Sequence, residues 1–348
     1  MHIFNKTSYD PFIDYVKGLC VICVILQHNL PHQILDAVFF HFTGAMAVPI
    51  FLLIQVFHAT RFFNSEKFSF ESYYSLSKLL KRVVLPFLLL LFAQLLVFSL
   101  TGNFTYELLK SMIIQGGYGP GAYYFWIYLQ FWVLLPPMLM LFKRIGLKKF
   151  FLFCLLGSVI MQVICSYLAI PIPLYRLLCC RYFFLIFLGV YLYHGKDNIS
   201  IITYMFAVAG FLFLAVRSYT NIDLEPFFFH SGSEFWPSWT RFDFPTYLYV
   251  TFLLLPLLKY IYICIANFAK LHTYIHTYIH TCGRLSYEIF LMQMFVFSFF
   301  SSGMQILKNQ IDILNNSYIY YLLYIFATTV LSIVPVLMYN KIKTKIKR

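Results

Sequence analysis

Ten apolar stretches run through this chain, at about 12–30, 37–59, 84–101, 123–142, 150–170, 178–194, 199–217, 244–267, 285–303 and 319–340. Each is close to the length, about 17 to 25 residues, that an α-helix needs to cross a bilayer. A backbone in lipid has to satisfy its own N–H and C=O groups, so stretches of this length and number fold as helices. Of 348 residues, 61% are hydrophobic and 11% charged, against about 25% charged in a soluble domain. The fold expected is all-α: a polytopic integral membrane protein with about ten transmembrane helices around a central cavity. No Pro/Gly/Ser-rich linker or composition shift interrupts the chain, so residues 1–348 read as a single transmembrane domain, with 341–348 a short basic cytoplasmic tail.

Lys and Arg orient the helices. With the N-terminus in the cytoplasm, 19 of the 26 fall in cytoplasmic segments, six fall outside, and Lys17 lies within the first span. This asymmetry follows the positive-inside rule and predicts a multi-pass protein of the cell (inner or plasma) membrane with both termini cytoplasmic. The net charge of +13 is then a topology signal that calls for no nucleic-acid partner, although a basic rim attracts anionic lipid. The first apolar stretch ends in Asn29-Leu30-Pro31-His32 instead of a small-residue cleavage site, so the first span is expected to be retained. The eight cysteines sit mostly inside spans without paired zinc spacing. They read as small membrane hydrophobes.

The first span is the strongest functional signal. It carries Asp14, Lys17 and His28, and a charge at bilayer depth costs about 2.5 to 3.5 kcal/mol on insertion scales. At 100° per residue, Lys17 and His28 differ by only about 20° around the helix, and Asp14 lies within about 60° of Lys17. Asp14 and Lys17 are i,i+3 neighbours able to pair, while His28 stands roughly 16 Å further along the axis.

Other candidates lie further along. Lys78-Leu79-Leu80-Lys81-Arg82 reads either as a topology determinant or as a phosphate contact, for which the guanidinium of Arg82 and the ammonium of Lys81 are suited. Gln115 to Gly121 is an uncharged turn-rich loop leading into Tyr123-Tyr124-Phe125-Trp126. These aromatics form an interfacial belt or, through Trp126, a sugar-stacking surface. The outer loop Arg217 to Asp243 collects Asp223, Glu225, Glu234 and Asp243 with Trp236 and Trp239, and reads as a lid or as an acceptor-docking surface. His272, His276 and His280 recur at i, i+4 and i+8; local duplication explains them more simply than a metal site, and no acidic neighbour is apparent in the sequence. Glu288 is an acid at membrane depth that either serves substrate or pairs with Arg284 at i,i+4.

Several of these pieces together resemble the membrane-bound acyltransferase-3 family. Its opening pattern of Asp, a basic residue, Gly, and a His eleven positions after the basic residue is matched by Asp14, Lys17-Gly18 and His28, with Lys17 where the family has Arg. Val48-Pro49-Ile50-Phe51-Leu52-Leu53 looks like its second span, with Gln55-Val56 in place of Ser-Gly. Lys78 to Pro86 is similar to its Arg-x-x-Arg stretch before a proline, Arg82 fitting the second arginine. Phe125-Trp126 through Leu135-Pro136 is similar to a later span of the family. Leu285-Ser286-Tyr287-Glu288-Ile289-Phe290-Leu291 is close to its Ser-Tyr-x-Ile-Tyr-Leu motif, with Gln293 where His is common.

The resemblance implies transfer of an acyl group, most often acetyl, from cytoplasmic acetyl-CoA to a hydroxyl of a surface polysaccharide or glycolipid, with no metal. His28 is then expected to be the base or a transient acyl carrier. Lys17, Lys81 and Arg82 would hold the donor's anionic groups, Asp14 would orient Lys17, and Glu288, Trp126 and Trp236 would serve the acceptor. A transporter or flippase for a lipid-linked glycan is the main rival and a glycan polymerase the second. A transporter commonly shows two matching halves, and no such repeat is visible. Acceptor sugar and oligomeric state are left open by the residues.

Overall fold

Each apolar stretch expected to cross the bilayer is helical in the computed structural model, which describes residues 3–6, 9–30, 32–168, 170, 172–195, 200–219, 243–266, 271–310 and 317–346. The main helices, in chain order, are α1 (Pro11–Asn29), α2 (Ala47–Phe63), α3 (Leu85–Leu100), α4 (Tyr106–Gln115), α5 (Tyr124–Tyr167), α6 (Phe184–His194), α7 (Ile201–Tyr219), α8 (Phe244–Tyr249), α9 (Leu255–Ala266), α10 (Leu271–Arg284), α11 (Ser286–Gln310) and α12 (Ser317–Ile346). No strand occurs among the described residues. By length and composition, six helical segments could cross a membrane, and Cys179–His194, Ile201–Val216 and Ser286–Phe300 are shorter apolar helices.

Two departures from the hydropathy reading have local causes. α5 is 44 residues long and breaks at Gly146, where φ is 74° and ψ 171°. Glycine takes that backbone setting without a Cβ clash, so one apparent helix comprises the two spans expected at 123–142 and 150–170. The second expected span, 37–59, becomes regular α-helix only at Ala47 and continues to Phe63. Before it, Phe39 has a φ of 53°, which stops helical propagation and leaves two short 3-10 turns, Phe40–Phe42 and Gly44–Met46.

Apolar side chains line the outer faces of the helices and a few polar ones lie inside, as fits lipid as the solvent. On α3, Leu89, Phe92 and Leu96 are exposed while Gln94 is fully buried. On α12, Leu322 and Phe326 face outward, and Thr328 and Ser332 are buried.

The described chain divides into two compact units. The first comprises Met1–Ile13, His41–Tyr73 and Phe125–Ala269. Within it, α2 packs on α6 and α7 on α8. Phe4 sits between the rings of Phe12 and Phe57 at 6.0 and 5.0 Å. Arg181 pairs with the buried carboxylate of Asp243 just ahead of α8, and the Tyr247 hydroxyl donates to the Arg181 carbonyl at 3.0 Å.

The second unit comprises Asp14–Phe40, Tyr74–Tyr124 and Lys270–Arg348. Here α11 packs on α3 and α12, and α10 meets both α11 and α12. The glycine-rich loop folds onto α3 and α11. Gln94 donates to the Tyr118 carbonyl at 2.7 Å and to Ser298 Oγ at 2.9 Å, and accepts from the Tyr118 N–H at 3.3 Å. Gly119 holds φ at 114°, and a Cβ there would come within 3.0 Å of the Met294 carbonyl oxygen. Both the turn and the close approach therefore require glycine.

Two widened π-turns, Leu80–Val84 and Val250–Leu254, share one cause. Pro86 and Pro256 follow them, and a proline ring clashes with the carbonyl four residues back while offering no N–H. Widening relieves the clash: the N–H of Leu85 reaches back five residues to Leu80, and that of Leu255 to Val250. Arg82 lies in the first of these turns.

Candidate functional site

The second unit contains the polar residues of the first span, and the site builds outward from them. Lys17 Nζ lies 3.0 Å from Asp14 Oδ1, one turn apart on α1. Asp14 is 6% exposed. A carboxylate this deeply buried needs a cation beside it, and the i,i+3 spacing supplies one.

α10 packs on the α1 backbone beside the pair. A Cβ on Gly18 would run into the Ile279 carbonyl oxygen, and one on Gly283 would run into the Asp14 carbonyl oxygen. Two glycines, one from each helix, thus let the backbones touch, the same means by which small residues bring helices together in lipid.

This contact brings in residues that sequence reasoning did not assign to the site. His276 stacks on the Tyr15 ring at 5.6 Å. His280 Nε2 lies 3.1 Å from His276 Nε2, so one imidazole donates and the other accepts. Burial pulls the His280 pKa down to about 4, helped by neighbouring His276 and Arg284 and opposed by Asp14. His280 is therefore neutral at physiological pH. The expectation that no acid lies near the histidine repeat is corrected: Asp14, distant in sequence, acts on His280. The i,i+4 spacing of the histidines and the Gly after Lys17 were the visible signals; that the two belonged together was not visible. Among the described residues, no group of three or more His, Cys, Asp or Glu is placed to hold a metal ion. The side chain of His272 lies outside the described residues.

Lys81 and Arg82 are exposed on the first π-turn. That turn is held by α11: the Tyr287 hydroxyl donates to the Val83 carbonyl at 2.8 Å. Tyr287 is the second residue of Ser286-Tyr287-Glu288, so this short motif holds the basic turn in place.

His28 is exposed near the other end of α1, its ring edge-on to Phe297 at 6.0 Å. The structure does not bring it against Asp14 or Lys17; eleven residues of helix keep them roughly 16 Å apart. Glu288 is exposed, and Arg284 donates instead to Thr281 Oγ1 at 3.4 Å. Of the two readings open for Glu288, the i,i+4 pair with Arg284 does not form, and the acid is left exposed. Trp126 belongs to the first unit, half-buried, with its indole N–H in no hydrogen bond. Trp236 and the rest of 220–242 lie outside the described residues.

A family model described as an acyltransferase domain matches residues 10–337, a range that includes α1, the basic turn and the Ser-Tyr motif of α11. Neither the curated proteins nor the solved structures contain a match.

Proposed function

The chain belongs to the acyltransferase-3 family, and we propose that it transfers an acetyl group from cytoplasmic acetyl-CoA to a hydroxyl of a cell-surface glycan or glycolipid. The observation that carries this reading is the Asp14–Lys17 pair in the first span, its carboxylate buried, its ammonium partly exposed, and α10 packed on the backbone beside it. A membrane helix keeps such a pair at a cost that a purely structural role does not explain.

The residues divide the work along α1. Lys17, with Lys81 and Arg82, meets the phosphates of the donor, and Asp14 holds Lys17 in place. The side chains suit phosphate binding, since Lys81 and Arg82 are exposed cations on a turn anchored by Tyr287. His28 removes the proton of the acceptor hydroxyl as the oxygen attacks the thioester carbonyl, and returns it to the departing thiolate. The roughly 16 Å between Lys17 and His28 is spanned by the donor's extended pantetheine arm. Glu288 offers an acceptor for sugar hydroxyls, and Trp126 and Trp236 offer faces on which a sugar ring stacks. No metal takes part. The protein sits in the inner or plasma membrane with both termini in the cytoplasm, as its Lys/Arg distribution favours.

Mass spectrometry of surface glycans from cells with and without the gene tests the reaction: loss of one acetyl mass per repeat unit is expected. Unchanged acylation with accumulated lipid-linked precursor would favour a transporter. For the site, His28→Ala and Lys17→Ala proteins that insert normally are assayed for acetyl transfer, and wild-type rates in His28→Ala would remove His28 from catalysis.

A further inference from the structure

We propose that Cys165 and Cys180 form a disulfide that closes the connection between α5 and α6. Their sulfur atoms lie 3.8 Å apart, and both residues are buried. With Tyr175 they make a small core on which Met161 and Ile170 pack.

Separate restraints hold each partner, so the pair is brought together by the fold and not by proximity in the chain. On one side the Ile170 N–H donates to the Cys165 carbonyl at 3.0 Å as the chain leaves α5. On the other, Gln130 donates to the Leu177 carbonyl at 2.6 Å and accepts from the Cys179 N–H at 2.9 Å. Cys180 is therefore fixed by a clamp on the residue before it, and its own carbonyl accepts from the Phe183 N–H at 3.3 Å. Bond formation brings the sulfur atoms from 3.8 Å to about 2.0 Å.

The bond forms by thiol–disulfide exchange. The two thiols lose two electrons and two protons to an exchangeable disulfide of an oxidising compartment, which leaves as two thiols. Exchange takes place during insertion, because the folded unit closes both sulfur atoms off from a partner. Disulfides persist where the compartment is oxidising, and the inference rests on the outward placement of this connection in the proposed topology. It is independent of the acyl-transfer reading. Once formed, the bond restrains the residues leading to Arg181, whose partner Asp243 opens α8.

The test counts free thiols on the full-length protein. Membranes are quenched in acid, denatured without reductant and labelled with a maleimide that adds a fixed mass per thiol. Six of the eight cysteines are expected to label, rising to eight after reduction. Cys179→Ser should leave five of seven labelled, whereas Cys165→Ser and Cys180→Ser should each leave all seven labelled. Eight labelled thiols in the unreduced wild type would overturn the proposal. So would a Cys180→Ser protein that still protects two thiols.

Discussion

The carbonyl oxygen of Asp14 occupies the space that a Cβ on Gly283 would need. The residue that forms the buried ion pair is thus also the point at which α10 crosses α1, so the pairing of Lys17 and the seating of the histidine helix are one arrangement.

Gly283→Ala and Gly18→Ala should each force the two helices apart. Overpacking of a tight contact costs about 1 to 3 kcal/mol. A lower melting temperature in detergent is expected for both, with acetyl transfer falling at least as far as the folded fraction. A Gly283→Ala protein with wild-type melting would show that α10 does not sit against Asp14.

Asp14→Asn removes the charge that Lys17 faces at 3.0 Å. Breaking a buried pair from one side costs about 3 to 5 kcal/mol because the remaining charge is uncompensated. Transfer activity should drop by tenfold or more. The double variant Asp14→Asn/Lys17→Met should recover stability without activity, and thermal melting beside an acetyl-transfer assay separates the two effects.

His280 supplies a pH signature. Its pKa is about 4 in the folded protein, pushed down chiefly by burial and then by His276, with Arg284 acting the same way and Asp14 against it. An unfolded histidine takes up its proton near 6.5. Stability is therefore fully present above about pH 6.5 and is lost as pH falls toward 4, where the unfolded chain binds the proton that the folded chain refuses. His280→Gln should flatten this part of the melting-temperature profile. An unchanged slope between pH 6.5 and 4 in the variant would exclude His280 as its source.

Tyr287→Phe removes only the hydroxyl that holds Val83 at 2.8 Å. The loss is about 1 kcal/mol, and it falls on the turn bearing Lys81 and Arg82. If acetyl-CoA is the donor, as proposed, its KM should rise several-fold with kcat nearly unchanged, and steady-state kinetics check that split. A fall in kcat alone would separate Tyr287 from donor binding.

Much of the candidate site was legible in α1 alone. Residues on one helix have their angular positions set by 3.6 residues per turn, so the shared face of Asp14, Lys17 and His28, and the pairing of the first two, follow from spacing. The part contributed by α10 was not legible. His276 and His280 lie more than 250 residues from Tyr15 and Asp14, and local periodicity cannot say which helix they face. Tyr287 shows the same limit, since its partner is a backbone carbonyl in the Leu80–Val84 turn. For Glu288 the spacing left two readings open, because an i,i+4 separation permits an ion pair without requiring one, and Arg284 turns to Thr281.

By itself the sequence determined the helical, membrane-spanning class of this protein and the polar face of its first span, because hydropathy and helical period are local properties of the chain. Only the tertiary structure decided that α10 packs beside Asp14, that Tyr287 holds the basic turn, and that Cys165 meets Cys180. The first two depend on close approaches between segments far apart in the chain and the third on how a short connection folds back, set by glycines that permit contact and by hydrogen bonds to backbone atoms that carry no sequence signature.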